Sequence, residues 1–244
     1  MSIETPDIAE LGSRVLAERV QRWYYEPWNF VRDVFNVEPD IWQDKALHLI
    51  AKPETRRLAM KACKGPGKTA CLAWIVLWFL CTRKDSKIAC TSITEANLDA
   101  NLWTELAVWL DRSQFLTALF KWTSTKVVRR SAPSRWYAQK RTWPKSGTPE
   151  EQQAALAGFH GKHVMFVLDE SGGMPQSLMV TADAVLANED SEAKVVQSGN
   201  PTHTTGPLYR ACTVDAHMWE IVTVNGDPDN PERARRVSIT WARE

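Results

Sequence analysis

Strand and helix periodicities alternate along this chain, a glycine turn joins the first such pair, and a later apolar strand closes on two carboxylates. These three observations predict an α/β fold with a mainly parallel central sheet flanked by helices on both faces. The first pair is LAMKACKGPGKT, from Leu58 to Thr69, in which a short apolar run turns abruptly into Lys64-Gly65-Pro66-Gly67-Lys68-Thr69. Ala70 to Trp78 then run on as apolar residues at helical length. Strand, tight turn and helix form the context of a phosphate-binding loop. Backbone N–H groups point inward there, and the helix N-terminus adds the positive end of its dipole.

In such a loop, residues 63–70 (Cys63, Lys64, Gly65, Pro66, Gly67, Lys68, Thr69, Ala70) contact the nucleotide. Lys68 reaches the β- and γ-phosphates and the Thr69 hydroxyl takes a place on Mg²⁺. The usual pattern opens with glycine where this chain has Ala62, although Gly65 and Gly67 still supply permissive backbone. A Gly-Pro turn that happens to precede Lys-Thr is the bland alternative.

The length of 244 residues suits one large α/β domain, or one domain with a small appendage. A net charge of only +1 means that any nucleic-acid contact must come from local clustering. Cys63, Cys71, Cys81, Cys90 and Cys212 show neither CxxC pairs nor metal-ligand spacing, which fits reduced thiols. There is no signal peptide and no run of about 18 apolar residues, so a cytoplasmic protein without a membrane partner is expected.

In chain order, residues 1–40 read as peripheral helices. Ile8, Leu11, Val15, Leu16, Val20 and Trp23 recur at helical spacing, and residues 29–35 read as a second short helix. A further helix opens at Pro39-Asp40-Ile41-Trp42-Gln43 and runs to about Ile50. Trp42 and Gln43 just upstream of the loop suit adenine recognition, the amide reading the base edge and an aromatic wall covering its face. A helix start with a buried Trp serves equally well.

KIACT, residues 87–91, reads as a strand, and residues 94–110 as a long amphipathic helix with Leu98, Leu102, Trp103, Leu106 and Leu110 on one face. Residues 121–148 then carry eight basic side chains and no acidic one, with Trp122, Trp136, Tyr137 and Trp143 between them. Val127-Val128 and residues 135–142 are expected to pair as a hairpin. Three uses compete: a grip on the phosphate backbone of DNA, an arginine (Arg129, Arg130, Arg135 or Arg141) acting on a neighbouring subunit's nucleotide, or a solvated hairpin with half-buried tryptophans.

Residues 149–157 read as a short helix. Val164-Met165-Phe166-Val167-Leu168 then form a buried strand from whose C-terminal end Asp169 and Glu170 emerge, about 100 residues after the phosphate loop. In an open parallel sheet, ligands bind at that end of the strands. Asp169 is expected on the Mg²⁺ shell, with Glu170 orienting and deprotonating the attacking water. A further helix is expected over residues 175–188, then a strand at Lys194-Val195-Val196-Gln197 ending in Ser198-Gly199-Asn200-Pro201-Thr202. Asn200 is a candidate for contact with the γ-phosphate or the water, an ordinary Asn-Pro turn being the alternative. Residues 205–212 read as a helix and 219–224 as a strand. The chain stops at Arg243-Glu244 inside a new amphipathic segment, which reads as a segment cut short.

With these pieces placed, the sequence resembles the ATPase domain of large terminase subunits, the DNA-packaging motors of tailed bacteriophages and prophages. The resemblance is carried by Trp42-Gln43, Lys64 to Thr69, residues 91–106, residues 158–171, and Gly199-Asn200-Pro201-Thr202 with Gly206, over roughly residues 40–210. It implies a P-loop NTPase of the additional-strand type with a basic β-hairpin insertion, ATP and Mg²⁺ as cofactors, and Glu170, Lys68, Lys64 and Asn200 in catalysis. The family often has arginine where Lys64 stands, and lysine lacks its bidentate fork. Double-stranded DNA, a portal protein, a terminase small subunit and a ring of copies of the same chain are the implied partners. The implied setting is the cytoplasm of an infected or lysogenic bacterium, with a nuclease domain following this one. The expected divisions are a helical extension at 1–40, an ATPase core at 41–225 and the start of a linker at 226–244. A helicase-like ATPase, or a nucleotide-regulated docking module with negligible hydrolysis, are the alternatives.

Overall fold

The computed structural model describes residues 8–188 and 190–243. The first seven residues of the expected 1–40 extension, and the side chains of Ile8 and Leu11, lie outside the described part, as does Glu244. Three helices come first, α1 (Ile8–Tyr25), α2 (Pro27–Phe35) and α3 (Ile41–Ala51), followed by strand β1 (Arg57–Ala62). Helix α4 (Lys68–Thr82) follows the glycine loop, and β2 (Lys87–Thr91) follows α4. Helix α5 (Glu95–Leu98) continues through a π-helical turn at Asp99–Trp103 into α6 (Thr104–Asp111), and α7 (Gln114–Leu119) leads to β3 (Phe120–Trp122), β4 (Lys126–Arg129) and β5 (Tyr137–Lys140). The remainder comprises α8 (Pro149–Ala155), β6 (His163–Leu168), α9 (Ser177–Leu186), β7 (Glu192–Gly199), α10 (Gly206–Cys212), β8 (Glu220–Val224) and α11 (Ile239–Arg243).

The eight strands make one sheet in the order β3-β4-β5-β2-β6-β7-β1-β8. From β5 to β8 every pairing is parallel, as β-α-β crossovers require, and β4 runs antiparallel to both β3 and β5. Strand β7 stands between β1 and β6, so the strand carrying the glycine loop and the strand carrying Asp169 are separated by an additional one. The basic hairpin forms, and its second strand β5 is sewn into the main sheet through β2, with Ile88 opposite Ala138.

Helix α4 is buried from Ala70 to Cys81, which explains why it reads as apolar on every side. The sheet lies on one side of it, and α1, α2 and α6 cover the other. Trp23 near the end of α1 belongs to that core, and its carbonyl accepts a hydrogen bond from Trp78 Nε1 at 2.5 Å. The expected apolar stripe of α1 fails toward its start: Val15 is 50% and Leu16 40% exposed, because the helix leaves the core there. The expected long helix at 94–110 is broken by its π turn. One extra residue per turn keeps Leu98, Leu102 and Trp103 on the buried face and turns Ala100 and Asn101 toward the glycine loop. After β8 the chain folds back, burying Ala234 and Val237. No described helix is long and apolar enough to cross a membrane.

Candidate functional site

The glycine loop leaves β1 and enters α4 with Gly65 at φ 78° and Gly67 at φ 97°, a left-handed backbone that favours glycine. Gly67 is also the N-cap of α4, where a side chain would crowd Gln43. The loop therefore presents bare N–H groups at a helix start. With residues from the π turn and α6, it walls a cleft of about 320 Å³ lined by Gly65 to Ala70, Asn101, Glu105, Glu170 and Arg236.

Three parallel strand ends deliver the polar groups. Lys68 folds back from α4 and is buried, its Nζ donating to Asn200 Oδ1 and to the Cys63 carbonyl at 3.5 Å, and standing 3.6 Å from Glu170 Oε1. Asn200 follows β7, and Glu170 follows β6. Asp169 is fully buried at the end of β6. Its Oδ1 accepts from Ser198 Oγ and from the Glu170 backbone N–H, both at 3.1 Å, while Oδ2 is buried with no partner. Burial, and then the neighbouring Glu170 carboxylate, push the Asp169 carboxyl up to about 6. Glu170 itself holds a left-handed backbone at φ 55°, ψ 40°, which costs a non-glycine residue about 1 kcal/mol. The strain turns its half-buried carboxylate back over the glycine loop.

The floor beneath these groups is close-packed backbone. A Cβ on Gly172 would meet the Asn200 carbonyl at 2.7 Å, and one on Gly199 would meet the backbone nitrogens of Gly172 and Ser171 at 3.1 and 3.2 Å. Glycines at both positions let the turn after Asp169-Glu170 touch the turn that carries Asn200. Ser171 Oγ adds a bond to the Ser198 carbonyl at 3.2 Å.

Lys68, Asn200 and Glu170 are thus brought together, with Asp169 behind Glu170 and Thr69 on the cleft wall. The unpartnered Asp169 Oδ2 fits a divalent cation: a buried carboxylate oxygen with no donor is the ligand a hard cation requires. Gln43 also arrives at the loop. Its Nε2 donates to the Gly67 carbonyl at 3.3 Å and its Oε1 accepts the Asp40 N–H at 2.9 Å, leaving one amide hydrogen free to read a base.

Other expected contacts are placed elsewhere. Trp42 points into the core at 3% exposure and lines no part of the cleft, because the capping turn of α3 directs Gln43 outward and its neighbour inward. Lys64 is exposed and outside the cleft lining, and Cys63 is spent extending the sheet, its N–H donating to the Val224 carbonyl at 3.1 Å.

In the basic stretch much of the charge is consumed. Arg129 lies over the rings of Phe120 and Trp136, Arg135 pairs with Asp85 at 2.9 Å, and Lys140 pairs with Asp99 and Glu95. Arg130 Nε donates to the Thr117 carbonyl, and Arg141 lies over the Phe159 ring with its Nε buried and unpartnered.

Ser198 and Arg236 are site residues that sequence reasoning misses. Ser198 was legible in part, standing two residues before Asn200 on the adjacent strand. Arg236 carries no local signal, being one of four arginines within residues 233–243.

By sequence the chain matches no family model and no curated protein. By fold it is similar to the HK97 bacteriophage large terminase, with TM-score 0.60 and 13% identity, covering 85% of this chain and 45% of that one. It is also similar to a large terminase from a thermophilic bacteriophage in complex with ADP, with TM-score 0.51 and 16% identity, covering 75% and 43%. A Thermus phage large terminase ATPase domain aligns with TM-score 0.52 and 13% identity, covering 72% of this chain and 70% of that domain. The chain spans less than half the length of the first two proteins and shares its fold with the Thermus phage large terminase ATPase domain.

Proposed function

We propose that the chain hydrolyses ATP to drive double-stranded DNA into a viral procapsid, as the ATPase domain of a terminase large subunit. One observation supports this above the others: a glycine loop, a buried Asp-Glu pair and an asparagine come together from three neighbouring parallel strand ends, with Lys68 bonded to Asn200 and 3.6 Å from Glu170. The loop amides and the start of α4 bind the phosphates. Lys68, held in waiting by Asn200 and Glu170, turns to the β- and γ-phosphates. Thr69 and Asp169 would hold Mg²⁺, which when bound neutralises charge on the phosphate oxygens. Glu170 orients a water and takes its proton as the γ-phosphoryl group leaves ADP. Asn200, released from Lys68, then reports the state of the γ-phosphate along β7. Gln43 reads the base edge, and Lys64 adds charge at the rim of the loop.

A trans-acting arginine from the basic hairpin completes the site in a ring of subunits. Arg130 and Arg135 are exposed and suit this role better than Arg129, which is held between rings, or the half-buried Arg141. Exposed Lys121 and Lys145 suit contact with the DNA backbone. The portal protein, the small subunit and a nuclease domain complete the machine, which works in the host cytoplasm. Residues 41–225 form its ATPase core, residues 8–40 its helical extension, and residues 226–238 fold back on that core.

The test is steady-state phosphate release from MgATP, with and without double-stranded DNA, by the wild type and by Glu170→Gln. We expect a loss of turnover of about 10²–10⁴-fold in the variant, with ATP binding retained. A variant as active as the wild type would remove Glu170 as the base. ATP binding without turnover in the wild type, even with DNA, would favour a nucleotide-regulated docking module.

A further inference from the structure

The chain after β8 does not leave the domain. Residues 226–238 fold back toward the glycine loop, anchored by buried Ala234 and Val237. The Ala234 N–H donates to the Asn225 carbonyl at 2.9 Å, and the Arg235 N–H donates to Asp40 Oδ2 at 2.7 Å. Asp40 is the N-cap of α3, and its own N–H is held by Gln43, whose other amide end bonds the Gly67 carbonyl. A continuous polar path therefore joins the C-terminal segment to the phosphate loop. Arg236, the next residue after Arg235, extends from this anchored segment to line the cleft. Its guanidinium comes within 3.6 Å of where a Cβ on Gly67 would stand. Among the described residues Arg236 has no hydrogen-bond or ion-pair partner.

A guanidinium on an anchored backbone, facing a loop of N–H donors and lacking a counter-charge, is suited to an anion in that cleft. Its position selects which part of the anion. Lys68, Glu170 and Asn200 mark the end where the terminal phosphate is cleaved. Arg236 stands against Gly67 beside the amide of Gln43, the side chain that the nucleotide reading assigns to the base.

Resting on the nucleotide reading of the cleft, we infer that Arg236 binds the α-phosphate side of the nucleotide and makes segment 226–238 responsive to occupancy of the site. Because the contact precedes the γ-phosphate, ADP and ATP gain from it equally. A bound nucleotide tightens the segment against α3, and product release frees it.

The experiment measures equilibrium binding of a fluorescent ADP and of ATP to the wild type, Arg236→Ala, Arg236→Lys and Arg235→Ala, together with amide hydrogen exchange over residues 226–238 with and without ADP. Arg236→Ala is expected to weaken both nucleotides about tenfold, with partial recovery in Arg236→Lys and near wild-type affinity in Arg235→Ala. ADP is expected to slow exchange of the segment in the wild type and not in Arg236→Ala. Unchanged affinity in Arg236→Ala, equal losses in Arg235→Ala, or a loss confined to ATP would each overturn the inference while leaving the cleft a nucleotide site. A wild type that binds neither nucleotide would overturn the nucleotide reading itself, and the inference with it.

Discussion

The two ends of the parallel sheet each hold a cluster of charged residues, and the clusters differ in how completely they are satisfied. At the N-terminal end, Arg83 is buried between the rings of Tyr24 and Trp78 and forks onto Glu192 at 2.9 and 3.1 Å. Tyr24 OH donates to the same carboxylate at 2.7 Å, and Lys194 donates to the carbonyls of Lys52 and Thr55 at 2.9 and 2.7 Å. Every charge there has its partner. At the C-terminal end, Asp169 keeps a bare buried oxygen, Glu170 is strained, and Lys68 is held by Asn200 and Glu170 beside an open cleft. A buried carboxylate oxygen without a donor suits a ligand, whereas the paired charges of the Arg83 cluster hold the fold together.

That contrast can be broken from either side. The largest effect is expected at the satisfied end: Glu192→Gln leaves the Arg83 guanidinium buried without a counter-charge. Chemical denaturation should show a loss of about 3 kcal/mol of stability, with nucleotide affinity unchanged in the folded protein. A loss below about 1 kcal/mol would mean that the cluster is only incidental to the fold.

The second effect is a pH dependence at the same end. Burial lowers the Lys194 ammonium from 10.5 to about 8, with Glu192 opposing the shift. Between pH 8 and 10.5 the unfolded chain holds this proton more firmly than the folded one, so the contribution of Lys194 to stability rises with pH through that window. Below pH 8 both states are protonated and the penalty is fully present, on the order of 3 kcal/mol. Melting curves of the wild type and Lys194→Met across this range should show the wild type gaining relative stability toward pH 10.5. A constant difference would place the ordinary lysine pKa in the fold.

The smallest effect is expected at the unsatisfied end. Asn200→Ala removes the acceptor that positions Lys68, and turnover should fall about tenfold while the melting temperature stays within a few degrees. A large loss of stability with unchanged specific turnover would move Asn200 to the structural class and erase the contrast.

The opposite edge of the sheet shows why charge alone is a weak guide. Eight basic residues in a row of 28 promise a strongly positive surface from sequence. Folding lays Arg129 over aromatic rings and pairs Arg135 and Lys140 with carboxylates from 50 and about 40 residues away. The sequence could not show this because the neutralising partners lie on other elements.

Periodicity determined the alternation of strands and helices by itself, because burial on one face imposes a local spacing. The pieces of the candidate site were legible as well, since a glycine turn before a helix, an Asp-Glu strand end and an Asn-Pro turn are each contiguous in the chain. Tertiary structure alone decided that β7 stands between β1 and β6, and which of Trp42 and Gln43 faces the loop. It alone returned the segment after β8 to place Arg236 over Gly67. Those outcomes depend on contacts between residues far apart in sequence, and such contacts leave no periodic trace in either partner.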